Sequence, residues 1–156
     1  MTIYLVRHAH AGARSHWGGP DAERPLSDKG QHQADALAAD LADAHIERVL
    51  SSRAVRCQQT VEPLAEARSL EVEVHPELFE GARVDDATAL VRQLASDGVD
   101  AVLSSHGDVI PATLLALEGD GVPVDDRHGL PKATYYALVV DADGRITGTT
   151  FVDPRP

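Results

Sequence analysis

Short apolar runs alternate along this chain with longer segments in which apolar residues recur at helical spacing. The first run covers residues 3–6 and ends in Arg7 and His8, a pattern typical of a buried strand. The other segments that predict strands are residues 48–50, 70–75, 100–104, 135–140 and 145–152. Residues 70–75 alternate apolar and polar side chains, as a half-exposed strand does, and the last two segments predict a hairpin.

Helical periodicity fills the segments between these strands. Residues 27–43 predict a first amphipathic helix, since Ser27 is a preferred N-cap and apolar residues follow it at helical spacing. A second helix is predicted from about Ala54 and contains Pro63. Because proline removes a backbone donor and clashes with the preceding turn, we expect it to kink this helix or end it early.

Two further helices complete the alternation. Asp85 or Asp86 is the expected N-cap of the third helix, and the fourth carries Pro111 in its first turn, where a missing N–H group is tolerated. A polar loop is predicted over residues 118–131. The repeated order of strand and helix predicts a three-layer α/β/α sandwich with a mostly parallel central sheet.

Composition narrows the classes of protein. The chain has 156 residues, which suffices for one domain, and we expect a single domain over residues 1–156. A formal net charge of −11 argues against binding of a nucleic-acid backbone. The single cysteine, Cys57, forms no internal disulfide, which fits a reducing compartment, and no apolar run approaches membrane-spanning length. We therefore expect a cytoplasmic protein that binds neither nucleic acid nor membranes.

Polar side chains with useful chemistry follow three of the predicted strands. Arg7 and His8 end the first, Arg56 lies just after the strand at residues 48–50, and His106 follows the strand at residues 100–104. If these strands are parallel neighbours, their carboxyl ends meet at one edge of the sheet, where ligands bind in such folds. Two guanidinium groups and two imidazole rings make an anion site suited to a phosphoryl group.

Several motifs occur in order along nearly the whole chain. They are Leu5-Val6-Arg7-His8-Ala9, Arg24-Pro25-Leu26-Ser27, Ser51-Ser52 with Arg56, and Ser105-His106-Gly107. As an ordered set they resemble the histidine phosphatase superfamily, the phosphoglycerate-mutase-like proteins. The length is similar to that of its small members without insertions, such as phosphohistidine phosphatases of the SixA type and the phosphatase domain of Nudix fusions.

This resemblance implies a role for each residue at the strand ends. His8 would attack phosphorus as a neutral ring whose other nitrogen donates to a backbone carbonyl, forming a phosphohistidine that water hydrolyses. Arg7 and Arg56 would hold the phosphoryl oxygens, and a protonated His106 would stabilise the transferring group. The reaction would use no metal and no cofactor.

A carboxylic acid that protonates the leaving oxygen is also implied for cleavage of phosphoesters. Glu80 is the choice because it lies after the third strand, where the family carries this acid, and Glu77 is the competitor. Further substrate contacts are expected from one strand-end glycine and three side chains of the loop after the first strand. They are Gly107, His10, Arg14 and Trp17. Arg53 is either another phosphate contact or a surface charge.

Alternatives remain open for the substrate and for the class of protein. The substrate is a small phosphorylated metabolite or nucleotide, or a phosphohistidine protein. His8 and His10 also form an H-x-H pattern that, with His16 and Asp21, is compatible with a metal-dependent hydrolase. A phosphate-binding module without catalysis is the third possibility.

Overall fold

The structure is a computed structural model, and it describes residues 1–125 and 129–154. The strands are β1 (Thr2–Arg7), β2 (Arg48–Ser51), β3 (Val72–Val74), β4 (Ala101–Ser105), β5 (Tyr135–Val140) and β6 (Ile146–Val152). The helices are α1 (Asp28–Asp40), α2 (Val55–Ala67), α3 (Val84–Ser96) and α4 (Val109–Gly119). None of these helices is both long enough and apolar enough to cross a lipid bilayer.

The six strands form one sheet in the order β3-β2-β4-β1-β5-β6. The first four strands in this order pair in parallel, whereas β5 joins β1 and β6 joins β5 in antiparallel fashion. In the register of the parallel pairs, Arg7 lies opposite Ser105, and Ser51 lies opposite Ser104. The chain therefore leaves β1, β2 and β4 at the same edge of the sheet.

Each face of the sheet has its own apolar core. One core joins β1 through Ile3 and Leu5 to residues of α3 and α4 such as Leu94 and Leu117. The other core joins Val6, Val49 and Val102 of the sheet to side chains of α1 and α2. The alternation of side chains along a strand thus serves two helical layers, which confirms the predicted three-layer α/β/α architecture.

Two of the predicted helix boundaries follow from capping chemistry as expected. The Ser27 hydroxyl accepts a hydrogen bond from the Gly30 amide at 3.1 Å and caps α1. Pro111 is the third residue of α4, within its first turn. Part of the predicted loop at residues 118–131 already belongs to α4, and residues 126–128 of it lie outside the described residues.

Other boundaries differ from the prediction. Pro63 does not end α2 early, since the helix continues to Ala67, and the buried Leu64 and Ala65 give this last part of the helix a packing partner. The N-cap of α3 is Arg83 rather than Asp85 or Asp86.

Both of these aspartates lie in the first turn of α3, where a carboxylate is favoured by the helix dipole. The strand predicted at residues 70–75 is shorter, because β3 lies at an edge of the sheet and pairs on one side only.

Candidate active site

The ends of β1 and β4, with the start of α2, surround a cleft of about 460 Å³. The His8 amide donates to the Ser105 carbonyl at 3.0 Å, which holds the two strand ends together. The residues that line the cleft are Arg7, His8, Arg14, Arg24, Arg56, Glu80, His106, Gly107, Asp108 and Lys132. The structure thus brings together the two histidines and two arginines that the strand pattern placed at this edge.

His8 is buried at the end of β1, with 7% of its surface exposed. Its Nδ1 lies 2.8 Å from the Ala9 carbonyl oxygen, so Nδ1–H donates to the backbone and Nε2 keeps its lone pair. Burial, helped by the positive charge of Arg56 nearby, lowers the pKa of His8 to about 3. The ring is therefore neutral at any physiological pH, in the tautomer that the resemblance implies.

His106 packs edge-on against His8, with 5.5 Å between the ring centroids. Burial first, and then the charge of Arg56, lower the pKa of His106 to about 4. The protein's own surroundings therefore favour the neutral ring, while protonation of His106 beside a phosphoryl dianion stays a prediction. Protonation of His106 would need the added negative charge of a phosphoryl dianion beside it.

The hydroxyl of Ser52 orients the His106 ring. Ser52 Oγ lies 2.8 Å from His106 Nε2, and it accepts a hydrogen bond from the Ala54 amide at 3.2 Å. In the tautomer with the ring hydrogen on Nδ1, Nε2 accepts a hydrogen bond from the Ser52 hydroxyl. This Nδ1 faces Glu80, whose Oε2 is 4.0 Å away. A neutral His106 can therefore still donate a hydrogen bond into the cleft.

The two arginines reach the cleft from different elements. Arg56, in the first turn of α2, is 1% exposed, and it donates to the Asp21 carbonyl at 2.9 Å and lies 3.3 Å from Glu80 Oε1. Arg7 donates to the Leu130 carbonyl at 2.7 Å. Within residues 1–125 and 129–154, the buried Nε atoms of both arginines have no hydrogen-bond partner. Each guanidinium group therefore keeps a donor for an anion.

Gly107 leaves the space that the Arg7 guanidinium occupies. A Cβ atom at this position would lie 2.9 Å from Arg7 Cζ and 3.0 Å from its Nε. The glycine is thus required by the close approach of a cationic side chain rather than by an unusual backbone angle.

Glu80 and Glu77 lie in different parts of the structure. Glu80 lines the cleft and lies between Arg56 and Arg14, whose NH2 atom is 3.9 Å from Glu80 Oε2. Glu77 lines a different groove beside α3, and its Oε2 lies 3.7 Å from His75 Nδ1. Of the two candidates, Glu80 is the carboxylate within the cleft.

Two of the expected substrate contacts lie outside the cleft, while Arg14 lies at its rim. His10 is bound to the start of α1, since its Nδ1 lies 2.6 Å from Ser27 Oγ. The Trp17 indole donates to the Pro20 carbonyl at 2.9 Å and lines a neighbouring cavity of about 260 Å³. Both side chains are held by local hydrogen bonds that the sequence pattern does not show.

Arg53 is not among the residues that line the cleft. Its guanidinium carbon lies 3.9 Å above the ring of Phe79, a cation–π contact. Phe79 in turn packs edge-on against His106, with 5.6 Å between the ring centroids. Arg53 is therefore neither a cleft residue nor a plain surface charge.

Four further charged residues, Asp21, Arg24, Asp108 and Lys132, belong to the cleft or its wall, and the sequence pattern assigns none of them to the phosphoryl site. Asp21 joins Arg14, Arg24 and Arg56, with distances of 3.0, 3.1 and 3.2 Å. Burial opposes ionisation of Asp21, but these arginines lower its pKa below its ordinary value. Arg24, only 8% exposed, stands in a motif that could have indicated it, whereas Lys132 stands in none.

The metal alternative has no support from these positions. In the part of the chain that the structure describes, the one group of three potential ligands close enough to share an ion is His45, Glu47 and Asp100. That group lies away from the cleft, on the surface. His8 and His10 instead each use Nδ1 in a hydrogen bond within the protein.

The fold and the cleft together define the class of protein: an α/β protein with a histidine- and arginine-lined cleft at the carboxyl ends of parallel strands. A profile of the histidine phosphatase superfamily (branch 1) matches residues 3–82, just over half of the chain. The chain therefore belongs to the histidine phosphatase superfamily, as its motifs predicted.

Two characterised relatives align over large parts of the chain. The 8-oxo-(d)GTP phosphatase of Mycolicibacterium smegmatis is 31% identical over 156 residues, covering 98% of this chain and 48% of that protein. The phosphohistidine phosphatase SixA of Escherichia coli is 32% identical over 107 residues, covering 66% of this chain and 65% of that protein. The chain thus spans less than two thirds of the length of either relative.

Solved structures share the fold over nearly the full chain. The protein histidine phosphatase SixA complexed with tungstate superposes with a TM-score of 0.74 at 27% identity, over 97% of this chain and 94% of that chain. A mycobacterial glucosyl-3-phosphoglycerate phosphatase superposes with a TM-score of 0.70 at 18% identity, over 96% of each chain, which shows the fold alone.

Proposed function

We propose that residues 1–156 act as a single domain and hydrolyse a phosphomonoester or phosphoramidate without a metal, through a phosphohistidine on His8. The observation that carries this proposal is the neutral His8 ring, with Nδ1 committed to the Ala9 carbonyl and Nε2 left with its lone pair. A buried neutral imidazole beside two guanidinium groups is suited to act as a nucleophile toward an anionic group. The expected cytoplasmic location stays a prediction.

In the first step His8 Nε2 attacks phosphorus, and the bond from phosphorus to the leaving atom breaks. Arg7 and Arg56 hold the phosphoryl oxygens, and the Nδ1–H of His106 donates to the same group. The phosphoryl dianion offsets the nearby cations that lower the pKa of His106, so proton uptake by this ring accompanies binding. In the second step water attacks the phosphohistidine and releases inorganic phosphate and free His8.

Glu80 serves as the acid for the leaving oxygen and then as the base for water. Its position in the cleft, 3.3 Å from the Arg56 guanidinium and 4.0 Å from the His106 ring, supports this assignment over Glu77. Protonated Glu80 gives its proton to the leaving oxygen in the first step, and the resulting carboxylate takes a proton from water in the second.

Trapping of the covalent intermediate tests the proposal. The protein is mixed with an aryl phosphate, quenched in alkaline detergent, digested and analysed by mass spectrometry. We expect a phosphoryl group on His8 that survives alkali and is lost in acid, in equal amount with and without a chelator. A phosphoryl group on another residue, or loss of the adduct with chelator, would overturn the assignment.

Two classes of substrate are proposed. The named activity of the Mycolicibacterium smegmatis relative favours a nucleotide or another small phosphorylated metabolite, and the named activity of SixA favours a phosphohistidine protein. The two differ in leaving group, since an imidazole leaves with less help from an acid than an alkoxide does. The presence of Glu80 in the cleft favours the phosphoester.

Substitution of Glu80 separates these leaving groups. We expect Glu80→Gln to lower kcat/KM for an alkyl phosphomonoester by about 100-fold or more, and for a phosphohistidine protein by less than about tenfold. Steady-state phosphate release from both substrates is the measurement, and Glu77→Gln is the matched control with no expected effect. Equal losses on the two substrates would remove the role of Glu80 as an acid for the leaving group.

A further inference from the structure

Lys132 lies in a turn that is tied directly to the end of β1. The amide of Ala133 donates to the carbonyls of Arg7 and His8 at 3.1 and 3.3 Å, and the Arg7 amide donates to the Thr134 carbonyl at 3.0 Å. These bonds fix the backbone of the turn against the strand that delivers His8. Lys132 therefore has a defined position in the wall of the cleft rather than a place on a free loop.

The same turn keeps a backbone conformation that alanine rarely adopts. Ala133 has a φ of 64° and is 1% exposed. The left-handed region costs a residue with a Cβ roughly 1–2 kcal/mol, so this turn is held by its surroundings rather than by its own preference. Such retained strain beside the candidate nucleophile indicates that the position of Lys132 matters for the site.

The charges of Lys132 and Arg7 are not balanced by the protein in the way that those of the other cleft cations are. Asp21 accepts contacts from Arg14, Arg24 and Arg56, and Glu80 also contacts Arg56. Lys132 forms no ion pair with any residue of the described ranges 1–125 and 129–154. Five cationic side chains and two carboxylates line the cleft, although the whole chain has a net charge of −11.

Burial and the neighbouring arginines act on Lys132 in the same direction. Desolvation first, and then the charges of Arg7 and Arg24, lower the pKa of the Lys132 ammonium group below its ordinary value. A cation held half-buried among other cations gains when an anion binds beside it. In the proposed function Arg7 and Arg56 hold the phosphoryl group that His8 attacks, and their Nε atoms have no partner among the described residues. Lys132 is then available to contact another part of the substrate.

We propose that Lys132 binds a second anionic group of the substrate, a phosphate or a carboxylate that lies close to the phosphoryl group attacked by His8. This inference rests on the proposed phosphatase function and narrows its substrate class. It favours a compact, doubly anionic phosphorylated compound over one with a single phosphoryl group and a neutral remainder. Lys132 is then a specificity-determining residue that touches substrate away from the reacting atoms.

Binding of phosphonates that are not turned over tests the proposal. Isothermal titration compares methylphosphonate, which carries one anionic group, with methylenediphosphonate and phosphonoacetate, which add a phosphonate or a carboxylate. Lys29 provides the matched control because it is the only other lysine in the chain and is exposed at the start of α1. The proteins are wild type, Lys132→Met, Lys132→Arg and Lys29→Met.

Wild type should bind at least one of the two doubly anionic ligands about tenfold or more tightly than methylphosphonate. The preferred ligand identifies the second group as phosphate-like or carboxylate. Lys132→Met should reduce this preference to about threefold or less while changing the affinity for methylphosphonate by less than about twofold. Lys132→Arg should keep most of the preference, and Lys29→Met all of it.

Three outcomes would overturn the proposal. They are a wild type without preference for two anionic groups, an unchanged preference in Lys132→Met, and an equal loss for all three ligands, which would place Lys132 on the attacked phosphoryl group itself. If Lys132→Met does not fold, the ligand preferences of wild type and of Lys132→Arg test the proposal. Because these ligands are not hydrolysed, failure of the phosphatase proposal appears separately, as the absence of a phosphohistidine on His8.

Discussion

Replacement of His8 by alanine should lower kcat/KM for an aryl phosphate on the order of 10⁴-fold or more. In the proposed mechanism, the imidazole supplies the protein atom that forms a bond to phosphorus. Asp21 and Glu80 form ion pairs with arginines, and Nε2 of His106 lies against the Ser52 hydroxyl. Steady-state release of phosphate or phenolate, at saturating and at low substrate, measures the loss.

The control for this substitution is another histidine of the same chain. His32 is exposed on α1, away from the cleft, and His32→Ala should retain the wild-type rate. His8→Ala should still bind inorganic phosphate, because Arg7, Arg56 and His106 remain. Turnover by His8→Ala within about tenfold of wild type would show that water or another residue attacks phosphorus directly, and the covalent mechanism would be wrong.

The sheet and the ends of its strands were predictable because they depend on local patterns. The apolar run before Arg7 and the run before His106 predict buried strands, and parallel neighbours place their ends together. The ordered motifs add the family and therefore the fold. What local patterns leave open is which side chains of the long loop between β1 and α1 turn into the cleft.

In that loop, Trp17 and His10 are polar or aromatic residues close to the site in sequence, but hydrogen bonds to Pro20 and Ser27 hold them elsewhere. Asp21 contacts Arg14 and Arg24 of its own loop and Arg56 of α2. No spacing in the sequence encodes the contact with Arg56, because it exists only after the loop has packed against α2. Lys132 was missed for the same reason, as its turn is defined by carbonyls of β1 and the following residue.

The position of α3 illustrates a different kind of limit. Two consecutive aspartates satisfy the chemistry of a cap and also that of a first helical turn, and sequence alone does not choose between these places. Pro63 shows that packing overrides a local rule, since buried neighbours on α2 maintain the helix beyond the proline. Boundaries of elements are thus decided by tertiary contacts, while the existence of the elements is decided by pattern.

The positive cleft on an acidic protein has a physical consequence for binding. Net charge of the whole chain repels anions at long range, and this repulsion is weakened by salt, whereas the arginines inside the cleft act at short range with little screening. In the proposed function, selection of the ligand therefore depends on the fit of its anionic groups to Arg7, Arg56 and Lys132, not on steering by the surface.

Acidification should reduce the free energy of unfolding by roughly 3–4 kcal/mol between about pH 7 and about pH 5, because the fold holds two buried histidines neutral. The pKa of His8 is lowered to about 3 and that of His106 to about 4, both mainly by burial, from an ordinary value of 6.5. In this range the unfolded chain binds more protons than the fold. The free energy of unfolding is therefore at its full value above the ordinary histidine pKa of 6.5. It decreases as the pH falls below this value, by up to about 1.4 kcal/mol per pH unit for each ring.

Between about pH 7 and about pH 5, the change in the free energy of unfolding comes from the histidines rather than from the carboxylates. Asp21 and Glu73 also have lowered pKa values, but their contributions are lost only below their ordinary values of 3.8 and 4.5. Urea unfolding at several pH values measures the slope. The double variant His8→Asn/His106→Asn should have a much flatter profile, since asparagine does not titrate, while His32→Asn should keep the wild-type slope.

Inorganic phosphate connects this stability to the proposed chemistry. A bound dianion favours the protonated form of His106, so saturating phosphate should make the wild-type profile less steep as well as raising stability at every pH. The change in the slope of the pH profile should be absent from a variant that lacks His106. A wild-type profile as flat as that of the double variant would contradict the neutral, buried state of both rings, and with it the physical basis for assigning His8 as the nucleophile.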